Sequence, residues 1–309
     1  MTTLSNIPWK KLIVPAATMA AFWALAVVAW QASGSAVEGL LNFGYLGTAL
    51  GLGLGLYALL PKKKKPIGRR VSLVLIGVYL FGLVGLLSRQ NIQIEGVFFA
   101  LMTGVVQAAI IHYLVAKIVG PALFGRMWCG WACWSAMVFD LLPWKRSAGR
   151  LPGKWGWLRY AHFGLSMGGV VLLYALFAID GSVESMTAVW FFLGGNLAYY
   201  AVGIGLAAAL KDNRAFCKYV CPVAVPLKLT SRFALMKIGG DAEACTGCQA
   251  CDKLCPMDIQ VSEYIQSGTR VLSTECTLCQ TCVSTCAKDA IRITFAADMG
   301  GPERLRERV

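Results

Sequence analysis

The chain has 309 residues, of which 57% are hydrophobic and only 15% charged, and its mean hydropathy is +0.60; this composition excludes a soluble globular enzyme and a disordered chain. The formal net charge of +13 does not indicate a nucleic-acid partner, because the basic residues gather in particular segments, as they do on the cytoplasmic side of membrane proteins. All 12 cysteines fall at or after Cys129, eight of them in two tight runs, which suits thiolates on metal better than a disulfide scaffold.

In chain order, six stretches approach the roughly 20 apolar residues that a helix needs to cross a bilayer: 13–31, 39–60, 71–88, 96–119, 161–179 and 187–210. The run from Leu12 to Trp30 is longer than the apolar core of a secretory signal, and no cleavage site follows it, so it reads as a span. Gly47 and Gly51 in the second stretch have the GxxxG spacing that permits close helix approach. Two basic residues precede the first stretch, six lie between Lys62 and Arg70, seven in 117–160 and thirteen after 210, against Arg89 alone in the outward loops. That asymmetry places both termini and every cysteine on the cytoplasmic side of a bacterial inner membrane, a reducing compartment. The expected fold is an all-α polytopic membrane domain with a small α+β head. Its parts are a cytoplasmic N-terminus (1–12), a membrane domain (13–210) with a Cys-x3-Cys loop at 124–133, a linker (211–239), a two-cluster head (240–296) and a tail (297–309).

The strongest signal is Cys245-x2-Cys248-x2-Cys251-x3-Cys255-Pro256 followed by Cys276-x2-Cys279-x2-Cys282-x3-Cys286. Three thiolates from one short loop cover three corners of a cubane and the fourth comes from the other run. One 4Fe-4S cluster is therefore assigned to Cys245, Cys248, Cys251 and Cys286, and another to Cys276, Cys279, Cys282 and Cys255. Zinc also accepts four thiolates, but the duplicated spacing favours cubanes. The head resembles a bacterial two-cluster ferredoxin over 240–296, and short strands are expected at Met257–Val261 and Ala290–Phe295. Ala287 stands where that pattern often has proline.

The other four cysteines form two Cys-x3-Cys pairs on one membrane face: Cys129 and Cys133 beyond the fourth stretch, Cys217 and Cys221 beyond the sixth. Helical x3 spacing points each pair's thiols in one direction, so the pairs could together hold a third cubane. The alternative is four buried thiols packed against Trp128, Trp131 and Trp134. On the motifs Phe124-Gly-Arg-x-x-Cys129-x-Trp-x-Cys133 and Cys217-Lys-Tyr-Val-Cys221-Pro222, followed by the two cluster runs, the chain resembles the NapH/MauN group of membrane ferredoxin-type proteins. More broadly it is similar to the polyferredoxin family that includes the membrane part of NosR. The resemblance covers most of 96–296 and implies electron transfer between a membrane quinol and a respiratory or maturation partner. One departure is Trp134, where the family motif continues with proline.

Quinone chemistry requires a proton-handling group near the clusters. The only histidines are His112 in the fourth stretch and His162 at the start of the fifth. Intramembrane polar groups usually turn into the bundle, which makes His112 the first quinone-site candidate, with Asn196, Tyr199 and Tyr200 of the sixth stretch as further lining. A b-haem shared by His112 and His162 is the weaker use of these residues. Arg126, three residues before Cys129, either offsets cluster charge or simply adds to the positive-inside bias. Segment Ser135–Trp144 is expected to lie along the interface. The function read from these features is a membrane-bound iron–sulfur protein passing electrons between the quinone pool and a separate redox partner, as in a quinol dehydrogenase subunit. The alternative is an electron-donating maturation factor for a metalloenzyme.

Overall fold

The computed structural model of the chain describes residues 9–32, 37–104, 108–177 and 186–308. Residues 1–8 of the expected N-terminus, 105–107 of the fourth stretch, 178–179 of the fifth and Val309 of the tail lie outside them. Helices α1 (Trp9–Ala32) and α2 (Val37–Leu59) form an antiparallel pair. Gly47 is what lets them approach, since a Cβ there would stand 2.4 Å from the Phe22 Cβ. Helix α3 (Lys65–Val78) is entered through a tight turn at Lys62–Lys64 and runs on through a wider, π-helical stretch at Tyr79–Leu87. The basic cluster is thus the first turn of a continuous crossing, Lys62–Leu87, and not a loop before it.

Among the described residues four helices, not six, are long and apolar enough to cross a membrane: Trp9–Ala32, Gly39–Leu59, Lys62–Leu87 and Met186–Leu210. The expected fourth span is broken. Helix α4 (Ile94–Thr103) stops at Gly104, whose φ of +68° is left-handed and ends a right-handed helix. The chain resumes as α5 (Ala108–Tyr113), widens over Leu114–Val119 and closes in α6 (Gly120–Phe124). The expected fifth span is α9 (Leu158–Phe177). Its first turns carry Arg159, bonded to the Lys218 carbonyl, and His162, whose Nδ1 donates to the Val220 carbonyl at 2.8 Å. Those polar turns belong to the head side, and α9 is not among the four helices that qualify as crossings in the described residues.

Short helices α7 (Met127–Trp131) and α8 (Trp134–Phe139) follow α6, and α11 (Ala215–Tyr219) and α12 (Ala224–Ser231) follow the last crossing, α10 (Met186–Leu210). The segment expected along the interface is instead drawn inward: Phe139 is fully buried against Gly203 of α10, where a Cβ would clash with its ring at 2.2 Å. The head consists of β1 (Met236–Gly240), α13 (Ala250–Lys253), α14 (Val261–Gln266), α15 (Thr281–Thr285) and β2 (Ile291–Phe295). The two strands pair antiparallel, with Met236 opposite Phe295 and Gly240 opposite Ile291. The strand expected at Met257–Val261 is absent among the described residues. There Ile259 forms one bridge to Leu305, and the first half's strand lies before its cysteines. The tail crosses back to the membrane domain, where Arg308 donates to the carbonyls of Gly149 and Arg150.

Candidate iron–sulfur centres

Each half of the head folds its cysteine run by the same backbone device. Left-handed φ values occur just before the second cysteine (Gly247, +67°; Leu278, +48°), just after it (Gln249, +56°; Gln280, +59°) and three residues after the fourth (Asp258, +58°; Asp289, +52°). Alternating right- and left-handed residues turn successive N–H groups toward one point, a concavity suited to anions and iron–sulfur centres. Leu278, Gln249 and Gln280 accept a conformation unfavourable to most side chains, and the recurrence at matching positions marks it as required.

Four head cysteines, Cys255, Cys276, Cys279 and Cys282, line one small cavity among apolar residues including Ile238, Met257 and Val271. This is the mixed set expected from spacing, three cysteines of the second run and the last of the first. Burial, with the Cys279 thiolate adding to it, pushes the Cys255 and Cys276 thiols up to about 12. Thiols this reluctant to ionise become ligands when a metal's own charge deprotonates them. The other four head cysteines are less enclosed, Cys248 being exposed and Cys245 and Cys286 partly so, with Cys251 buried toward the first group. Among the described residues no three ligating side chains stand close enough for a single metal ion, as is natural for thiols spread around a cubane.

The paired cysteines lie at the junction of head and membrane domain. Cys129 is in α7 and Cys133 follows it, while Cys217 is in α11 and Cys221 just beyond. The pairs come together: the Arg214 Nη1 donates to the Cys129 carbonyl (3.3 Å) and approaches the Cys217 Sγ (3.8 Å). Burial pushes the Cys217 thiol up to about 11; Arg214 opposes this, while Cys133 and Cys129 add to it. The loop holding Cys129 is pressed onto the Cys276–Cys279 loop of the head. A Cβ on Gly130 would stand 2.3 Å from the Thr277 carbonyl oxygen, and the Trp131 Nε1 donates to the Leu278 carbonyl at 3.0 Å. Trp131 thus joins two cysteine loops.

Buried ion pairs fix this junction. Glu275, beside Cys276, faces Arg126 (3.1 Å), Arg150 (3.1 Å), Arg159 (3.0 Å) and Lys228. Burial alone would raise the Glu275 carboxyl, but Arg159, Arg150, Arg126 and Lys228 hold it well below the usual carboxylate range. Asp140 faces Arg69 (2.6 Å) and Arg214 (2.8 Å). Lys218, with no exposed surface, joins Asp212 (2.6 Å) to Asp258 of the head. Arg126 thus has a definite place: it ties the Cys129 loop to Glu275, and Cys129 and Glu275 favour its charge against the cost of burial.

The remaining candidates sit within the membrane domain. His112 lies against Trp128 (ring centroids 4.9 Å apart) and Trp134, and its Nε2 is buried without a partner. The Asn196 Oδ1 accepts from the Trp134 Nε1 at 2.9 Å, so Asn196 is committed to holding α8. Tyr200 packs on Phe139. The Tyr199 hydroxyl donates to the Glu95 Oε1 at 2.7 Å, as does the Ser166 hydroxyl at 2.7 Å. Glu95 was not among the expected site residues because it stood just before the fourth stretch. The signal was available, for it is the single acidic residue between Glu38 and Asp140.

An apolar bundle with a cysteine-rich head fixed to one end defines a class, the multi-pass membrane iron–sulfur proteins of electron transfer. Residues 237–287 match a 4Fe-4S dicluster domain, and residues 108–157 and 197–239, which contain the two cysteine pairs, match a 4Fe-4S binding domain. An uncharacterized protein of Methanocaldococcus jannaschii is 29% identical over 71% of this chain and 80% of its own length. YccM of Escherichia coli, named for electron transport, is 30% identical over 64% of this chain and 59% of its own. The ferredoxin-type protein NapH of Haemophilus influenzae is 25% identical over 58% of this chain and 66% of its own. No solved structure matches. The chain is a membrane-associated ferredoxin-type 4Fe-4S protein related to NapH, YccM and the methylamine-utilization protein MauN.

Proposed function

We propose that this protein takes electrons from a membrane quinol and delivers them to a separate redox partner through a line of three 4Fe-4S centres. The first is held at the membrane junction by Cys129, Cys133, Cys217 and Cys221, the second by Cys255, Cys276, Cys279 and Cys282, and the third by Cys245, Cys248, Cys251 and Cys286. When bound, such centres supply one-electron carriage; everything else is done by the chain. Gly130 and Trp131 keep the first two thiol sets in register, and exposed Cys248 marks the end of the line where a partner can approach.

The observation that carries the reading is the charge around the paired thiols. Lys117, Arg126 and Arg214 are all buried, at 2%, 1% and 2% exposure. Arg126 and Arg214 have carboxylate partners, but among the described residues Lys117 has none. Its ammonium stands 4.1 Å from the Trp128 ring in the field of Cys133, Cys129 and Cys221. A buried cation without an acid is costly, and an anionic thiolate-bound cluster supplies the missing charge. The Arg214 contact with the Cys217 sulfur is also of the kind that sets cluster potential. The basic run at Lys62–Lys65 reaches the head through Lys62, which pairs with Asp289 at 2.6 Å. The positive-inside rule therefore assigns the head and the acceptor to the cytoplasmic side of the inner membrane.

Anaerobic iron and sulfide analysis with electron paramagnetic resonance, before and after a reduced quinol analogue, tests the proposal. Three centres require about twelve irons per chain and a signal that appears with quinol. About eight irons return the paired cysteines to a packing role, and no response to quinol removes the donor.

A further inference from the structure

Resting on the quinol reading, we infer that Glu95 is the group that accepts the quinol's protons, in a polar site built inside the membrane domain where α4, α5, α9 and α10 meet. A carboxylate within an apolar bundle costs enough that its presence ordinarily reflects a use. Glu95 is paired with no cation among the described residues. Its Oε1 is held by the hydroxyls of Tyr199 and Ser166, each at 2.7 Å. Its Oε2 is buried and has no partner. One carboxylate oxygen is thereby fixed by two donors while the other remains free to accept.

The packing links this carboxylate to the paired cysteines. Tyr199, which holds Glu95, packs against Phe216 beside Cys217 (ring centroids 5.3 Å apart) and against His162, whose Nδ1 donates to the carbonyl of Val220 beside Cys221. The Tyr113 hydroxyl, buried without a partner on a residue 5% exposed, is a second unsatisfied polar group in this domain. A quinol hydroxyl meets the need of the Glu95 Oε2, to which it would donate.

The step balances as two one-electron transfers. In each, a quinol O–H bond would break, its proton would go to the Glu95 Oε2, and the electron would be taken up by the oxidised 4Fe-4S centre that Cys129, Cys133, Cys217 and Cys221 would hold. Glu95 discharges its proton to water between the two transfers. The quinol leaves as quinone, having given up two protons and two electrons. Tyr199 and Ser166 are positioning residues, fixing the orientation of the carboxylate through the hydrogen bonds they donate.

The experiment compares the intact, cluster-loaded protein with Glu95→Gln and Tyr199→Phe, using duroquinol as donor and dithionite as a donor that needs no proton acceptor. Glu95→Gln is expected to keep its iron and its bleaching by dithionite while duroquinol bleaching slows by about 100-fold or more, the scale of general-base catalysis. The carboxyl stretching band in the redox-difference infrared spectrum is expected to disappear. Tyr199→Phe removes one of the two donors that fix the carboxylate, so duroquinol bleaching is expected to slow while iron content and dithionite bleaching stay at the parent's values. Should Glu95→Gln bleach with duroquinol at the parent rate and pH profile, Glu95 is not the acceptor although the quinol reading stands. Should the parent protein itself ignore duroquinol while responding to dithionite, the quinol reading fails and Glu95 loses its role with it. If Glu95→Gln does not fold, duroquinol bleaching of Tyr199→Phe at the parent rate overturns the assignment on its own.

Discussion

Replacing Glu275 by glutamine removes one negative charge from a site where four cations converge. The Glu275 side chain is 2% exposed, and Arg126, Arg150 and Arg159 lie 3.0–3.1 Å away with Lys228 beside them. Breaking a buried ion pair by removing one partner costs about 3–5 kcal/mol, because the other charge is left uncompensated. Here four partners are left and repel one another, so the upper end applies. At about 2–4 °C per kcal/mol for a chain of this size class, apparent melting falls by roughly 10 °C or more. Tryptophan fluorescence during heating of the detergent-solubilised protein reads this directly, with Trp131 at the junction as reporter. The control is Asp289→Asn, which breaks the exposed pair with Lys62, whose side chains are 73% and 45% exposed. Such a pair is worth about 1 kcal/mol at most. If Glu275→Gln melts within a degree or two of the control, the junction is not held by its charges and the reasoning fails.

Other perturbations separate the centres. Cys217→Ser is expected to lower iron by about four atoms per chain while the remaining cluster signals persist; unchanged iron would show that this thiol holds no metal. Gly130→Ala places a methyl 2.3 Å from the Thr277 carbonyl oxygen, an overpacking that costs about 1–3 kcal/mol and pushes two cysteine loops apart. Spin coupling between reduced centres is expected to weaken, and a spectrum identical to the parent's would refute the contact. Lys218→Met leaves Asp212 and Asp258 facing each other without their shared cation. The expected cost is again about 3–5 kcal/mol, seen as a lower denaturant midpoint, and no shift would count against the network.

The cysteine spacing was legible because cluster geometry is local. Each cysteine run is one short loop, and left-handed residues recur at matching positions, Gln249 and Gln280, in both. That the two pairs lie near one another follows from each coming just after an apolar stretch on the same face. The broken crossing at Gly104 was not, since an isolated glycine in an apolar run also occurs in unbroken membrane helices and only packing decides. The strand at Met236–Gly240 was missed because two of its five residues are glycine, and its pairing with Ile291–Phe295 is made across more than fifty residues of chain. Glu95 escaped because its meaning depends on Tyr199 and Ser166 arriving from two other helices. The ion pairs of Glu275 and Lys218 were invisible for the same reason: charge counts gave sidedness but no partners.

On the proposed pathway, the exposed Cys248 and the buried contact at Gly130 give the chain two junctions, of which only the outer one responds to ionic strength. Ion pairs shut away from solvent are screened little by salt, so passage from the membrane thiols to the head is set by fixed geometry and is indifferent to the medium. Delivery at the outer end is a diffusional encounter between surfaces, and its rate follows the charges the partner presents and the salt between them. On that pathway, regulation by ionic conditions, or by the surface charge of competing partners, would act on who collects the electrons and leave their supply unchanged.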